Sequence, residues 1–422
     1  MDKRGKSILN NIEWKVVIVW LFLVLVGWLN IYAAVYDSEH SSIFDFSCRY
    51  GKQMIWIAAS VVIALFVLII DPKFFSQSSY LIYIICMGLL VVVLGVATAT
   101  KGAKSWLGIG DFGIQPSEFA KFATALILAK VLSAINVDMK QWPTRLSAIG
   151  VVLLPMLLVL LQNDTGSALV FLSFVFVMFR EGLSYMVLIS GASVIILFVL
   201  ALLINPYILI GVLAAIILIT YFVIHKRNRH VRFIYFLGVF IFCAVIVSGV
   251  QLAYNEVLES HQKDRIEVLL GQKKDDKGVG YNVNQSKIAI GSGGLTGKGF
   301  LQGTQTKFNF VPEQDTDFIF CTIGEEWGFI GSSIIVIVFI WLCVKIIKMA
   351  ERQRSNFARI YGYGVASVIF FHVMVNIGMT IGLLPVIGIP LPFISYGGSS
   401  LWTFTLMLFV FIRQDASRGD LV

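Results

Sequence analysis

The sequence predicts an all-α polytopic membrane protein. Of its 422 residues, 58% are hydrophobic and only 14% are charged, whereas an average soluble domain is about one-quarter charged. Apolar runs of about 20 residues, the length of helix that crosses roughly 30 Å of hydrocarbon, recur along the whole chain. Helices are favoured because each satisfies its own backbone hydrogen bonds in lipid, and the chain lacks the alternating pattern typical of a membrane β-barrel.

The apolar runs predict about twelve membrane spans. They lie near residues 14–35, 53–70, 80–98, 117–134, 146–161, 166–180, 185–204, 207–224, 232–255, 317–346, 360–382 and 400–413. Lys and Arg gather on alternate connections, including the basic segment from His225 to Arg232. By the positive-inside rule this bias predicts that both termini are cytoplasmic. The net charge of +8 then reflects topology, and we expect no nucleic-acid partner.

One connection is much longer than the others. We expect residues 1–422 to form a single integral membrane domain with one large extracytoplasmic loop at about 256–316. From His261 to Thr316 this loop carries eight Lys or Arg and six Asp or Glu, so it is not a simple basic patch. Long ordered loops in compact proteins are usually functional.

The loop contains a glycine-rich run, IAIGSGGLTGKGF, at residues 288–300. A Walker loop is excluded because Ser292 stands where a glycine is required five residues before Gly297. Two readings remain. The glycines allow tight turns, or their exposed amides, together with Lys287 and Lys298, approach the phosphate of a lipid headgroup.

Ionisable residues at membrane depth are costly and are therefore functional candidates. Glu118 and Lys121 are three residues apart, which puts them on one helix face, and we predict that they form a pair. The pair either clamps neighbouring helices or contacts a ligand. Asp164 precedes Thr165 and Gly166, a pattern that predicts an N-cap for the next helix.

Asp317 stands where the long loop enters the membrane. If it lies on the helix that follows, Glu325 is two turns further along the same face and about 12 Å away. This separation exceeds the roughly 5–9.5 Å between the carboxyls of a glycosidase pair, so we do not expect glycoside hydrolysis by these two. Asp317 is suited to be a general base, and the alternative is that it only caps its helix.

Several motifs resemble those of the RodA, FtsW and SpoVE family of bacterial wall polymerases. The C-terminal motif, residues 376–400, reads NIGMTIGLLPVIGIPLPFISYGGSS. Further matching blocks are KGAKSWLGIGDFGIQPSEFAK, QNDTG, YNVNQSKIAIGSGGLTGKGF, PEQDTDFIF and GEEWG. The stretch FLQGTQTKFNFVPEQDTDF resembles RodA, the elongation member, more than FtsW, the division member.

The resemblance implies a peptidoglycan glycosyltransferase that polymerises lipid II for cell elongation, cell shape or division. Asp317 matches the family's essential aspartate and would be the catalytic base, and undecaprenyl pyrophosphate would leave. The substrate-binding candidates are Lys104, Trp106, Glu118, Lys121, Asp164, Arg265, Lys287, Lys298, Glu325 and Ser395. No nucleotide is required on the outer face and no metal-ligand cluster is visible in the sequence, and a divalent cation, Mg or Mn, is a second source of positive charge for the pyrophosphate.

The family also implies partners and a location. The partners are lipid II, membrane lipid, a class B penicillin-binding protein that cross-links the glycan, and other elongation-complex membrane proteins. The location is the bacterial cytoplasmic membrane, with the active site on its extracytoplasmic face.

The chain departs from the family pattern at three places. Asp315 stands where relatives often have His, which predicts an added negative charge two residues from Asp317. Asn163 stands where relatives often have Pro. Residues of about 206–231 resemble an extra helical hairpin, because the usual family count is ten spans.

Two other classes of function are compatible with the sequence. A lipid II flippase would also have charged residues in its spans and helices broken by Gly and Pro. A non-catalytic scaffold of the wall-synthesis complex would need no titratable residue at the mouth of the loop. The flippase reading is disfavoured because the chain shows no inverted repeat and its distinctive polar residues concentrate on the predicted outer face.

Overall fold

The protein is described here by a computed structural model. It describes residues 10–36, 45–96, 105–109, 112–134, 137–227, 229, 232–252, 254, 256, 263, 267, 279–308 and 310–419.

The described residues form helices and one small hairpin. The helices before residue 183 are α1 (Trp14–Val35), α2 (Arg49–Ile69), α3 (Pro72–Gln77), α4 (Ser79–Val96), α5 (Pro116–Leu132), α6 (Trp142–Leu161), α7 (Thr165–Val170) and α8 (Phe174–Arg180). A 3₁₀ turn, Phe171–Ser173, joins α7 to α8. Strands β1 (Leu107–Ile109) and β2 (Phe112–Ile114) pair antiparallel.

The remaining helices follow residue 184. They are α9 (Tyr185–Leu203), α10 (Pro206–Arg227), α11 (Phe233–Leu252), α12 (Val279–Ser292), α13 (Thr304–Lys307), α14 (Ile319–Glu351), α15 (Asn356–Thr380) and α16 (Gly398–Ala416).

The predicted fold class is confirmed. Each of the twelve predicted spans coincides with a helix, although the span at 166–180 is divided into α7, the 3₁₀ turn and α8. Within the described residues, nine helices are long and apolar enough to cross a membrane. The helices α5, α7–α8 and α16 fall below that threshold because they are shorter or more polar. The side of the membrane on which each terminus lies stays a prediction.

The chain divides into two compact units. The first contains residues 1–183 and 281–422, and the second contains residues 184–280. The second unit holds α9, α10 and α11, which pack through Leu197, Ala201, Leu209, Val247 and Val250. The predicted extra hairpin corresponds to α10 and its connection to α11, and its status as an insertion stays a prediction.

Helix α15 is the centre of the first unit. In its membrane-length window 78% of the residues are buried, against 22% in α2. Small residues let its neighbours approach: a Cβ on Gly362 would lie 2.5 Å from the Phe411 ring of α16. A Cβ on Gly364 would lie 3.3 Å from Ala125 Cβ of α5. Small residues at helix contacts are typical of membrane bundles, where packing rather than water exclusion drives association.

Helix α14 is broken in its N-terminal third. Gly328 has φ 64° and ψ −161°, which interrupts the helical hydrogen-bond ladder. The carbonyls of Glu325 and Glu326 instead accept hydrogen bonds from the backbone N–H groups of Lys298 and Gly299, both at 3.0 Å. The glycine segment, residues 293–299, thus replaces the missing helical donors.

The same segment also serves the other side of the break. The N–H groups of Phe329 and Ile330 donate to the carbonyls of Gly294 and Leu295, at 2.9 and 3.0 Å. Backbone polar groups in an apolar setting require partners, so the break and the segment depend on each other. A Cβ on Gly297 would lie 2.1 Å from the Glu326 carbonyl oxygen, which explains the need for glycine there.

Replacing Gly297 with Ala should therefore destabilise the protein strongly. Its φ of +82° alone costs about 1–3 kcal/mol for a non-glycine residue, and the new methyl group collides with backbone. Gly294→Ala is a matched control, because Gly294 has φ +57° but nothing within 4 Å of a Cβ. Thermal melts in detergent should show a larger loss for Gly297→Ala, and equal losses would contradict the tight contact with α14.

Candidate functional site

The candidate site lies where the segment 315–317 meets a turn between α15 and α16. We call residues 385–392 the Gly388 turn. Gly388 has φ +79°, and a Cβ built on it would lie 3.3 Å from Asp317 Oδ2, so the carboxylate rests against this glycine. Asp317 itself is partly exposed. The structure thus brings the predicted base to a turn whose sequence belongs to the C-terminal motif.

Asn376 of α15 fixes the two segments to each other. Its Nδ2 donates to the main-chain oxygen of Asp317 at 2.8 Å and to that of Ile389 at 2.7 Å. Asn376 is fully buried; its bond to Ile389 is buried, and its bond to Asp317 is partly buried. An amide group with two N–H donors is suited to hold two carbonyls at once.

Ser395 and Tyr396 add a second connection to the same segment. The Ser395 hydroxyl donates to the Thr316 carbonyl at 2.7 Å and accepts from the Leu391 N–H at 2.8 Å. The Tyr396 N–H donates to the Asp315 carbonyl at 2.9 Å. Ser395 was predicted to bind substrate. Its hydroxyl in fact contacts the protein backbone, so direct substrate contact stays a prediction.

Asp317 does not begin α14. The N-cap residue is Phe318, and the helix starts at Ile319. The sequence-based placement of Asp317 and Glu325 on one helix face was wrong, because residues 312–318 form turns rather than helix. The capping alternative for Asp317 also loses its basis, since Phe318 occupies the cap position.

Asp164 lies at the start of α7, next to the Gly388 turn. It caps α7, as predicted, by accepting from the Ser167 N–H at 2.9 Å. It also accepts from Gln115 Nε2 at 3.0 Å. A Cβ on Gly166 would lie 2.5 Å from the Ile387 carbonyl oxygen, so the first turn of α7 packs directly against the Gly388 turn.

The preceding residue, Asn163, explains one departure from the family pattern. Its φ of +59° is left-handed, a conformation that Asn adopts more readily than most residues. Proline is restricted to φ near −65° and would not fit here. This chain therefore enters α7 by a turn that a proline at 163 would not allow.

Glu118 and Lys121 form the predicted pair. Lys121 Nζ lies 2.7 Å from Glu118 Oε1, and both side chains are buried. The ammonium also lies 3.0 Å from His372 Nε2 and 5.5 Å from the centre of the Phe404 ring. These contacts support the helix-clamp reading, and a substrate contact for either residue stays a prediction. We call Glu118 and Lys121 the buried pair.

Glu325 and Lys298 belong to a separate cluster. Glu325 is fully buried and accepts from Lys298 Nζ at 2.6 Å. It also accepts from the backbone N–H groups of Thr304, Gln305 and Thr306, at 2.8 to 2.9 Å. This carboxylate therefore anchors the start of α13 to α14.

In the glycine segment, the amides of Lys298 and Gly299 are not free to bind a phosphate. The N–H groups of Lys298 and Gly299 already donate to α14, and the Lys298 ammonium is paired with Glu325. The headgroup reading of this run was therefore wrong for these two amides, and the tight-turn reading is confirmed by the positive φ of Gly294, Gly297 and Gly299.

Arg49 is a site residue that the sequence analysis missed. Its Nη1 lies 2.8 Å from both carboxylate oxygens of Asp315, and its guanidinium is 5.9 Å from the centre of the Tyr396 ring. Arg49 therefore pairs with the added charge of Asp315, and the effect of Asp315 on Asp317 stays a prediction. Arg49 is the first residue of α2, and its local sequence gives no signal of this contact.

The other predicted site residues are dispersed. Lys287 of α12 is exposed and covers the end of α15, where a Cβ on Gly382 would lie 2.5 Å from its Nζ. Trp106 is partly exposed and covers Gly113 in the β1–β2 hairpin. Lys104 and Arg265 lie outside the described residues. Among the described residues, no group of three or more His, Cys, Asp or Glu side chains is arranged to hold a metal ion.

The fold and the site define a multi-pass helical membrane protein. Its candidate carboxylate, Asp317, lies just before α14, the helix that is interrupted at Gly328. The family model for FtsW, RodA and SpoVE, described as cell cycle protein, matches residues 13–240 and 194–418. The chain therefore belongs to this family.

Individual relatives extend the match over nearly the whole chain. Identity is 33% over 430 residues with the peptidoglycan glycosyltransferase RodA of Treponema pallidum (strain Nichols), covering 96% of each chain. It is 36% over 348 residues with the peptidoglycan glycosyltransferase MrdB of Escherichia coli (strain K12), covering 82% of this chain and 80% of that protein.

A solved structure shares the fold. It belongs to a study of polymerization and crosslinking by a peptidoglycan synthase complex, and it matches with a TM-score of 0.70 at 23% identity. The match covers 97% of this chain and 99% of that chain. At this level of identity the likeness establishes the fold alone.

The buried pair makes a specific prediction about charge. Lys121→Ala should destabilise the protein by about 3–5 kcal/mol, because it leaves a buried carboxylate without its partner. The double variant Glu118→Gln/Lys121→Met should be less damaged in a detergent melt, since it removes both charges at similar volume. A rise in KM for the substrate in both the single and the double variant, at normal membrane levels and stability, would indicate direct substrate contact instead.

Proposed function

We propose that this protein is a peptidoglycan glycosyltransferase that polymerises lipid II during cell elongation. The observation that carries the proposal is the carboxylate of Asp317 against the Gly388 turn, both within motifs shared with the family. The coverage of relatives named as glycosyltransferases supports the reaction class.

In the proposed reaction Asp317 is the general base. It takes the proton from the 4-hydroxyl of the acceptor GlcNAc while that oxygen attacks the anomeric carbon of the donor MurNAc. The bond from this carbon to the pyrophosphate oxygen breaks, and undecaprenyl pyrophosphate leaves. Cleavage of this activated link supplies the driving force, so no nucleotide is needed.

The carboxylate is well prepared for this role. Asn376 holds the main chain of Asp317, and Ser395 holds the carbonyl of its neighbour Thr316, so the backbone that carries the carboxylate is fixed. Holding a base in one geometry lowers the cost of reaching the transition state. Its partial exposure is consistent with access for a hydroxyl group from the outer face.

Positive charge must stabilise the leaving pyrophosphate. Among the predicted candidates, Lys121 and Lys298 are bound to Glu118 and Glu325. Lys287 is exposed on α12 and lies against the end of α15, so it is the best supported of the described candidates. Lys104, Arg265 and a divalent cation remain further proposals.

The proposed setting is the outer face of the bacterial cytoplasmic membrane. A class B penicillin-binding protein would cross-link the new glycan, as the synthase-complex neighbour suggests by analogy. Lipid II, membrane lipid and other elongation-complex proteins complete the proposed partners. A flippase is the rival function, and it is disfavoured by the clamped turn, because alternating access needs mobile elements at the site.

Replacing Asp317 with Asn tests the proposal. The clamp uses the main-chain oxygen of Asp317, so the variant should fold and insert normally. Loss of the base should lower the rate of glycan formation from lipid II by roughly 10²- to 10⁴-fold. The assay uses purified protein in detergent, with glycan length read on a gel.

Glu313→Gln is the matched control. It makes the same isosteric change four residues away in the same run of turns, and it should polymerise at the wild-type rate. Near wild-type polymerisation by Asp317→Asn would eliminate Asp317 as the base. Wild-type protein that makes no glycan but moves lipid II between leaflets would favour the flippase.

A further inference from the structure

His372 connects two parts of the molecule that the proposed mechanism does not otherwise join. It lies on α15, is 1% exposed, and contacts a polar group with each ring nitrogen. Nε2 lies 3.0 Å from Lys121 Nζ, and Nδ1 lies 3.0 Å from the carbonyl oxygen of Pro390. Pro390 belongs to the Gly388 turn.

The two contacts determine the tautomer of the ring. A carbonyl oxygen only accepts hydrogen bonds, so Nδ1 must carry the hydrogen and donate it to Pro390. An ammonium only donates, so Nε2 must be the acceptor for Lys121. The neutral ring with hydrogen on Nδ1 satisfies both contacts. The Phe404 ring packs edge-on against the imidazole, with 4.8 Å between the ring centres.

Asn376, one helical turn later, acts on the adjacent carbonyl. Residues four apart lie on the same helix face, and Asn376 holds Ile389 as His372 holds Pro390. Two consecutive carbonyls of the turn are therefore fixed by two side chains of α15. Gly388, which contacts the Asp317 carboxylate, immediately precedes them.

We propose that His372 is a positioning residue that ties the buried pair to the Gly388 turn and so sets the place of the Asp317 carboxylate. The pair orients the imidazole through Lys121, and the imidazole orients the turn. His372 touches neither the acceptor nor the donor sugar. This role rests on the proposed function for its effect on rate, but its effect on the turn does not.

Three substitutions separate the two ring contacts. Asn places a donor near the position of Nδ1 and should keep the bond to Pro390. Gln reaches the position of Nε2 and should keep the contact with Lys121 while losing that bond. Phe keeps the ring and loses both contacts.

The first measurement is hydrogen exchange of the backbone amides in residues 385–395. Losing one buried hydrogen bond should speed exchange there roughly five- to tenfold in His372→Gln and His372→Phe, and much less in His372→Asn. This readout needs no activity. Equal exchange in all three variants and wild type would overturn the proposal, as would faster exchange in Asn than in Gln.

The second measurement is steady-state polymerisation of lipid II. A displacement of about 1 Å at a reacting group can cost roughly 10²-fold, so kcat should fall by this order in His372→Phe and His372→Gln, with KM nearly unchanged. His372→Asn should restore most of kcat. A rise in KM with kcat unchanged, or no rescue by Asn, would contradict a positioning role.

Tyr361→Phe is the control for a purely structural effect. Tyr361 is also fully buried on α15 and donates to the Met407 carbonyl at 3.0 Å, away from the turn. The Tyr361→Phe variant should lower the melting temperature without changing kcat or the amide hydrogen exchange of residues 385–395. If wild-type protein makes no glycan, the proposed function fails while the exchange result still decides the role of His372.

Discussion

The amide of Asn376 is the contact on which the candidate site depends. It holds the main chain of Asp317 and that of Ile389 within one hydrogen-bond length each. These residues are far apart in sequence. Without a two-donor side chain between them, the two carbonyls would lose these hydrogen bonds, and a buried group left unsatisfied costs about 1–3 kcal/mol.

The break in α14 is the second constraint. A continuous helix would leave the glycine segment without partners and would carry the chain straight past Gly328. Just before the break, the Glu325 carboxylate binds both Lys298 and the first residue of α13. These two contacts anchor the chain that leads to Asp317. In the glycine-rich run, the amides of Lys298 and Gly299 are therefore used in hydrogen bonds that stabilise the fold.

Much of the fold could be predicted from the sequence, because apolar length and helix capping are local properties. The twelve helical segments, the cap at Asp164 and the spacing of the buried pair all follow from residues close together in the chain. The family motifs likewise selected Asp317 as the candidate base, a role that stays a prediction.

Long-range contacts could not be predicted. Nothing local indicates that Asp315 pairs with Arg49, 266 residues earlier, or that Lys121 lies beside His372, 251 residues later. The glycine run left two readings open for the same reason, since only the position of α14 shows where the amides of Lys298 and Gly299 donate. The sequence identifies the chemical groups, and the packing decides which of them are already bonded to other groups of the protein.

The most direct test of the account is an experimental structure of this protein with a lipid pyrophosphate bound. The account predicts density for the ligand at the outer mouth beside Asp317 and the Gly388 turn, with the bond between Lys298 and Glu325 intact. Phosphate density on the amides of residues 297–299, with Lys298 released from Glu325, would contradict it.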